Sequence, residues 1–200
     1  MKLKERIICK VQSLHIDAFT VNDILELSSY DNLRKTLERM VKDNSIRRLI
    51  RGVYDIPKFN NTFGMFNPPS LDGIAKAIAR NNNWNIYPTG NYALNILGLS
   101  TQVPLKHIYI SSGPYRTYEY EGIVIEFKRA SLKETNSYSY NTNLVIQAFK
   151  EIGKDNISDN VIKHISSKFS DEELDIICNE AKNTIVWIYE KIIKLRRNSG

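Results

Sequence analysis

The chain has few of the residues that build covalent or metal-bound scaffolds: its 200 residues include two cysteines and three histidines. Cys9 and Cys178 stand far apart, each among apolar residues at helical spacing, and read as small buried hydrophobes rather than as disulfide or metal partners. His15, His107 and His164 are scattered, with none in a ligand spacing such as H-x-x-x-H. No apolar run approaches the length needed to span a bilayer. The short run after Met1–Arg6 is interrupted by Lys10 and Gln12, unlike a signal peptide. A phosphate loop, a nucleophile elbow and a dinucleotide fingerprint are all missing. These absences predict a cytoplasmic protein without catalysis, cofactor, metal site or membrane association.

What the chain does have is apolar content and concentrated charge. A hydrophobic fraction of 42% is enough to bury a core in one or two domains, which argues against intrinsic disorder. The net charge is +6, and most of it is local. From Asn32 to Gly52 seven Lys/Arg face two acids, Glu38 and Asp43, so 7 − 2 = +5 falls within a tenth of the chain. Such a footprint suits a polyanionic partner, while the plainer account is a solvated face on a protein-interaction module.

The periodicity of the first 57 residues explains where that charge lies. Ile7, Ile8, Val11 and Leu14 predict a first helix over about Leu3 to His15, and Val21, Ile24 and Leu25 a shorter second one. Small polar residues at Ser28 to Asp31 suit an N-cap, and Leu33, Leu37, Met40 and Val41 then share one face of a third helix ending at Asn44. Its opposite face carries Asn32, Lys35, Arg39 and Lys42, with Arg34 and Glu38 on the flank. Next come two β-prone runs, Ile46–Leu49 and Val53–Ile56, connected through Arg51 and Gly52 and stopped by Pro57. Three helices, a basic third helix and a basic hairpin, in that order, predict a winged helix-turn-helix. In such a module Arg34, Lys35, Arg39 and Lys42 would neutralise phosphates in and beside the major groove, and Asn32 would read a base edge. Arg47, Arg48 and Arg51 would take the adjacent backbone or the minor groove.

Residues 58–67 lack a regular period and are rich in Asn, Gly and Phe, which predicts a linker. Beyond it a helix from Leu71 to about Ile78 is expected, then a Gly/Pro-rich loop from Tyr87 to Pro104 with a short helix near Tyr92–Leu97. That loop serves either turn chemistry or binding. Strands are expected at His107–Ser111, Tyr115–Tyr120 and Ile123–Phe127, and Tyr115, Arg116, Tyr118 and Tyr120 form an aromatic and basic cluster suited to stacking. Helices follow at about Leu144–Ile152, Ile157–Ser167 and Asp171–Leu195, the last opened by a Ser170/Glu173 capping box. Its heptad-like seam from Leu174 to Leu195 suggests a coiled-coil dimer, but apolar residues on its other sides favour burial within its own domain. The resulting class is α+β: a winged helix over 1–57, a linker over 58–67, and a mixed C-terminal domain over 68–200 with a small sheet and a helical end.

Three blocks of the first half, Phe19–Ile24, Leu37–Lys42 and Ile46–Tyr54 with Pro57, carry a family likeness, as do Tyr87–Leu99, Thr101–Pro104 and Tyr109–Pro114. In these blocks the chain resembles the AbiEi-type antitoxins of type IV toxin-antitoxin and abortive-infection (phage defence) systems. The resemblance implies an antitoxin that counteracts a nucleotidyltransferase-like toxin and represses its own operon, binding promoter DNA at inverted repeats through the winged helix. It also implies that the C-terminal domain antagonises the toxin, with no stable complex between the two assumed. One alternative is a stand-alone winged-helix transcriptional regulator whose C-terminal domain binds a ligand or dimerises. A second is a nuclease or nucleotidyltransferase accessory enzyme carried by Glu119, Glu121 and Glu126, although the spacing fits a Mg²⁺ site poorly.

Overall fold

Helix α1 (Leu3–Ser13) buries Ile7 and Val11, four residues apart and therefore on one face. Cys9 lies two residues from each, on the far side, and is exposed rather than buried as its neighbours suggested. Its spacing to the buried pair, about 200° around the helix, explains the difference. These elements belong to a computed structural model that describes residues 2–102, 104–130 and 138–197. Val103, within the block Thr101–Pro104, lies outside the described residues.

A 3-10 helix at Val21–Leu27 occupies the place of the expected second helix. Its start is fixed by the Asp23 carboxylate, which accepts from the Thr20 amide at 2.8 Å. Helix α2 (Tyr30–Lys42) follows, with Leu33, Leu37 and Met40 buried. It closes where the Asp43 amide donates to the Arg39 carbonyl and Asn44 takes a left-handed φ of 58°. Strands β1 (Arg47–Ile50) and β2 (Val53–Asp55) pair antiparallel, Arg47 opposite Asp55 and Arg48 opposite Tyr54, with a register shift before Ile50. The connection needs Gly52, whose φ is +81°. On the outer edge of β2, Phe19 and Tyr54 exchange amide-to-carbonyl bonds of 2.8 and 2.9 Å. Ile7, Phe19, Ile24, Leu33, Leu37, Met40, Ile46 and Tyr54 close one apolar core.

The segment expected to be a linker is folded. Phe59–Asn60 (β3) and Met65–Phe66 (β4) pair antiparallel as a small hairpin. Helix α3 (Leu71–Asn82) then joins the same unit, its Arg80 donating to the Ala18 carbonyl at 2.8 Å and pairing with Asp23 at 3.1 Å. A Cβ on Gly73 would sit 2.8 Å from that of Asp17, so the glycine permits the approach of α3. The compact units accordingly run over Met1–Trp84 with Glu119–Glu121, and over Asn85–Tyr118 with Gly122–Gly200. The division falls after α3, rather than before it at 58–67.

The second unit is built on a four-stranded sheet of order β5-β6-β8-β7. Its strands are β5 (Ile86–Pro88), β6 (Lys106–Ser111), β7 (Arg116–Tyr120) and β8 (Ile123–Arg129). Strand β5, in a region read from sequence as loop, pairs antiparallel with β6, and β6 pairs parallel with β8. Helix α4 (Asn91–Ile96) precedes β6, and α5 (Tyr140–Ile152) is buried continuously from Thr142 to Phe149. Helix α6 (Asp159–Ser166) is capped by Ser158. The long terminal helix expected over 171–195 is two helices, α7 (Asp171–Glu180) and α8 (Val186–Arg197), separated by a 3-10 turn at Ala181–Asn183 and an extended Thr184. Asn183 and Thr184 are weak helix formers, and breaking there lets Leu174, Ile177, Ile188, Ile192 and Leu195 fold back onto one core with Phe149 and Ile165. The heptad seam is therefore consumed within the unit. The chain is α+β, and no helix among the described residues is long and apolar enough to cross a membrane.

Leu37 is fully buried at the centre of the first core. Leu37→Ala is expected to lower the stability of that unit by about 2–5 kcal/mol, read from urea unfolding of the full chain.

Candidate nucleic-acid interface

The apolar stripe of α2 decides where its charge goes. With Leu33, Leu37 and Met40 committed to the core, the 100° step places Asn32, Lys35, Arg39 and Lys42 on the opposite, exposed face. Lys35 to Lys42 spans about 10 Å of helix at 1.5 Å per residue, close to three base-pair steps of 3.4 Å. Among the described residues Lys35, Arg39 and Lys42 make no ion pair. Asp43, the acid at the end of this face, is engaged by Lys4 at 2.8 Å. Lys4 and Ser45 hold its carboxyl down at about 2. Arg34 lies on the flank, 4.0 Å from Glu38, an exposed pair of little energetic weight. The Asn32 amide donates to Ser28 Oγ at 2.9 Å, so a base edge would have to displace that bond.

The hairpin arginines divide into two groups. Arg48 and Arg51 are exposed, and the Arg48 guanidinium lies 5.7 Å from the centre of the Tyr54 ring. Arg47 is different. Its Nε donates to Asp55 Oδ1 at 2.9 Å, its Nη2 to Asp55 Oδ2, and its Nη1 to the Asn67 carbonyl at 2.9 Å. Asp55 is 4% exposed, and a buried carboxylate needs such a fork to replace its water. The pairing raises the Arg47 pKa further. Arg47 thus serves as the clamp at the root of the hairpin, with its Nε and both terminal nitrogens each committed to a partner.

Between α2 and the hairpin runs a groove of about 490 Å³, flanked by Arg34 and Tyr30 on the helix and by Arg48, Arg51 and Tyr54 on the hairpin, with Glu38 as its acid. Sequence reasoning named the arginines but not the two tyrosines. Tyr54 comes beside Arg48 through the β1–β2 register, which residue types alone do not encode, and Tyr30 enters from the first turn of α2.

The three glutamates of the enzyme reading have separate surroundings. Glu126 is buried on β8, salt-bridged to Lys106 and, at 3.7 Å, to Lys128. Glu119 is exposed on β7, and Glu121 occupies the turn to β8 with a φ of 49°, followed by Gly122 at +80°. No group of three or more His, Cys, Asp or Glu side chains is placed to hold a metal among the described residues. His164 Nε2 lies 2.9 Å from the Leu97 carbonyl, a packing contact between α6 and the end of α4.

Two outcomes test these assignments. Asp55→Ala, which strands the Arg47 fork, is expected to cost about 1.5–3 kcal/mol of stability in urea unfolding. Lys106 holds the Glu126 carboxyl below its ordinary 4.5, and Glu126 raises the Lys106 pKa above 10.5. The pair's contribution is therefore complete from about pH 4.5 to 10.5. It is lost on the acid side as pH falls through the depressed Glu126 pKa. Melting temperatures of Glu126→Gln and the parent protein should converge at low pH and diverge near neutrality.

Comparison with known proteins gives a family without a function. The Rv2827c protein from Mycobacterium tuberculosis, known from its crystal structure, is similar at 10% identity and a TM-score of 0.43, over 99% of this chain and 77% of that one. That likeness is too slight to transfer a fold or an activity. No curated protein matches the chain. The family match covers residues 6–177, spanning both units, and the chain belongs to a family of unknown function, DUF6088.

Proposed function

We propose that the protein is a DNA-binding antitoxin of the type IV kind, one that represses its own operon and counteracts a nucleotidyltransferase-like toxin without catalysing a reaction. On this reading α1, the 3-10 helix and α2 serve as the three helices of a winged helix-turn-helix, and β1–β2 is its wing. The observation that carries the DNA-binding part is the exposed face of Lys35, Arg39 and Lys42, with Arg48 and Arg51 across the adjoining groove. Five exposed cations on α2 and the adjoining hairpin, with Asp43 held by Lys4 and Glu38 the acid of the groove, suit a duplex backbone.

The support for antitoxicity is the resemblance of Tyr87–Leu99 and Tyr109–Pro114 to the AbiEi-type antitoxins. These blocks fall on β5, α4 and β6. The second unit would then act on the toxin or its pathway while the first addresses the promoter.

Binding to the duplex upstream of the gene, measured by fluorescence anisotropy at several salt concentrations, tests the first part. Arg48→Ala with Arg51→Ala should weaken binding and reduce the slope of log K against log salt by about two, since each phosphate contact contributes about 0.9. Arg47→Ala, by contrast, should act mainly on stability. Affinity and slope unchanged in the Arg48/Arg51 variant would overturn the assignment. For the second part, co-expression of the full chain with the neighbouring gene should restore growth. Promoter binding without rescue would instead mark a stand-alone regulator.

A further inference from the structure

The groove between α2 and the β1–β2 hairpin holds one acid among its cations. Tyr30, Arg34 and Glu38 stand four residues apart on α2 and form a single row along its wall of the groove, and Lys42 continues that row one turn further. Arg48 and Arg51 line the hairpin side. Each of these arginines suits a phosphate. Glu38 does not: set among them, it repels the group that they attract.

The fold gains little from this placement. The Glu38 side chain is 50% exposed, and its one ion pair among the described residues is to Arg34 Nε at 4.0 Å, too long for a hydrogen bond. Arg preceding Glu is also the weaker order for a pair at this spacing. Asp43, by contrast, is tied by Lys4 and by the Ser45 amide. Both Glu38 oxygens thus face the groove's surroundings without a protein hydrogen bond among the described residues.

A carboxylate only accepts hydrogen bonds, so what it can recognise is a donor. On the major-groove edges of a duplex, guanine presents two acceptors, thymine an acceptor and a methyl group, and adenine a donor beside an acceptor. Cytosine alone presents a donor, its N4 amino group, with no acceptor next to it. The Asn32 amide, the other group of α2 suited to a base edge, is already bonded to Ser28.

We propose that Glu38 is a specificity-determining residue that accepts a hydrogen bond from a cytosine N4 amino group, while Arg34, Arg48 and Arg51 hold flanking phosphates. The proposal rests on the DNA-binding reading above and adds to it the base that the groove selects. The same carboxylate acts against sequences without that cytosine, because its charge then meets base acceptors or phosphate with no compensating bond.

The test uses the full chain and three variants at two exposed positions, each allowed to select duplexes from a pool of randomised sequence. Affinities for the selected duplexes and their single-pair replacements are then read by fluorescence anisotropy. The parent protein should select cytosine at one position, where any replacement weakens binding about tenfold or more. Glu38→Ala should lose the preference at that position alone and bind unrelated duplexes about two- to fivefold tighter, as removal of one exposed like charge implies. Glu38→Gln should select adenine there, since an amide matches the donor and acceptor of that base. Asp31→Asn removes a charge of the same sign from the first turn of α2, at a residue that does not line the groove, and should leave the preference unchanged. A cytosine preference that survives Glu38→Ala, one that Asp31→Asn also removes, or selection without any such preference overturns the role of Glu38 and leaves DNA binding standing. A uniform change of affinity across all sequences in Glu38→Ala marks a purely electrostatic effect and overturns it too. Absence of any duplex binding by the parent protein overturns both readings.

Discussion

A carboxylate taken out of water must be met by charge and hydrogen bonds, and at Asp55 that requirement organises the first unit. Asp55 is almost wholly buried at the end of β2, and only the Arg47 fork satisfies both of its oxygens. The fork fixes the pairing of the strand ends. A third donor, on Nη1, reaches the Asn67 carbonyl and so fixes the root of the next hairpin. One arginine thereby joins two hairpins of different character, one basic and one apolar. The cost is that this arginine is withdrawn from the basic surface to which its residue type seemed to assign it.

The opposite situation holds on α2. There the constraint is apolar: burying Leu33, Leu37 and Met40 turns Lys35, Arg39 and Lys42 outward, whatever they go on to meet. Their freedom from ion pairs among the described residues distinguishes them from Arg34 and Arg47. Charge density by itself had grouped all of them together. The exposed cations without an ion pair among the described residues are then Lys35, Arg39, Lys42, Arg48 and Arg51, the last two lining a groove with Tyr30 and Tyr54.

Elements with a long period were legible in the sequence, and those set by a few residues were not. Helix α2 and strands β1 and β2 lie close to their expected bounds, because thirteen residues of amphipathic spacing and a Gly-containing turn carry their own signal. Strands β3 and β4 have two residues each and depend on the Asn60 turn and on the Arg47 anchor, so their sequence resembles a linker. Strand β5 is three residues long and exists through its pairing with β6. In the terminal segment the heptad pattern hid a break, because Leu174, Ile188 and Ile192 keep the same spacing whether they line one helix or two antiparallel turns of a core. Cys9 was misplaced by its apolar neighbours, where helical phase was the better guide.

Periodicity and composition within short windows suffice for the α+β class, the succession of helices before the basic hairpin, and the local excess of positive charge. Long-range packing settles which arginine is a clamp, where the first unit ends, that the 58–67 segment is a hairpin, and that the last helices fold back on one core. Each of those depends on pairing between residues distant along the chain: Arg47 with Asp55 and Asn67, Arg80 with Ala18 and Asp23, Cys178 with Ile192. Such pairings are settled by burial and register, and a residue's neighbours in sequence do not reveal them.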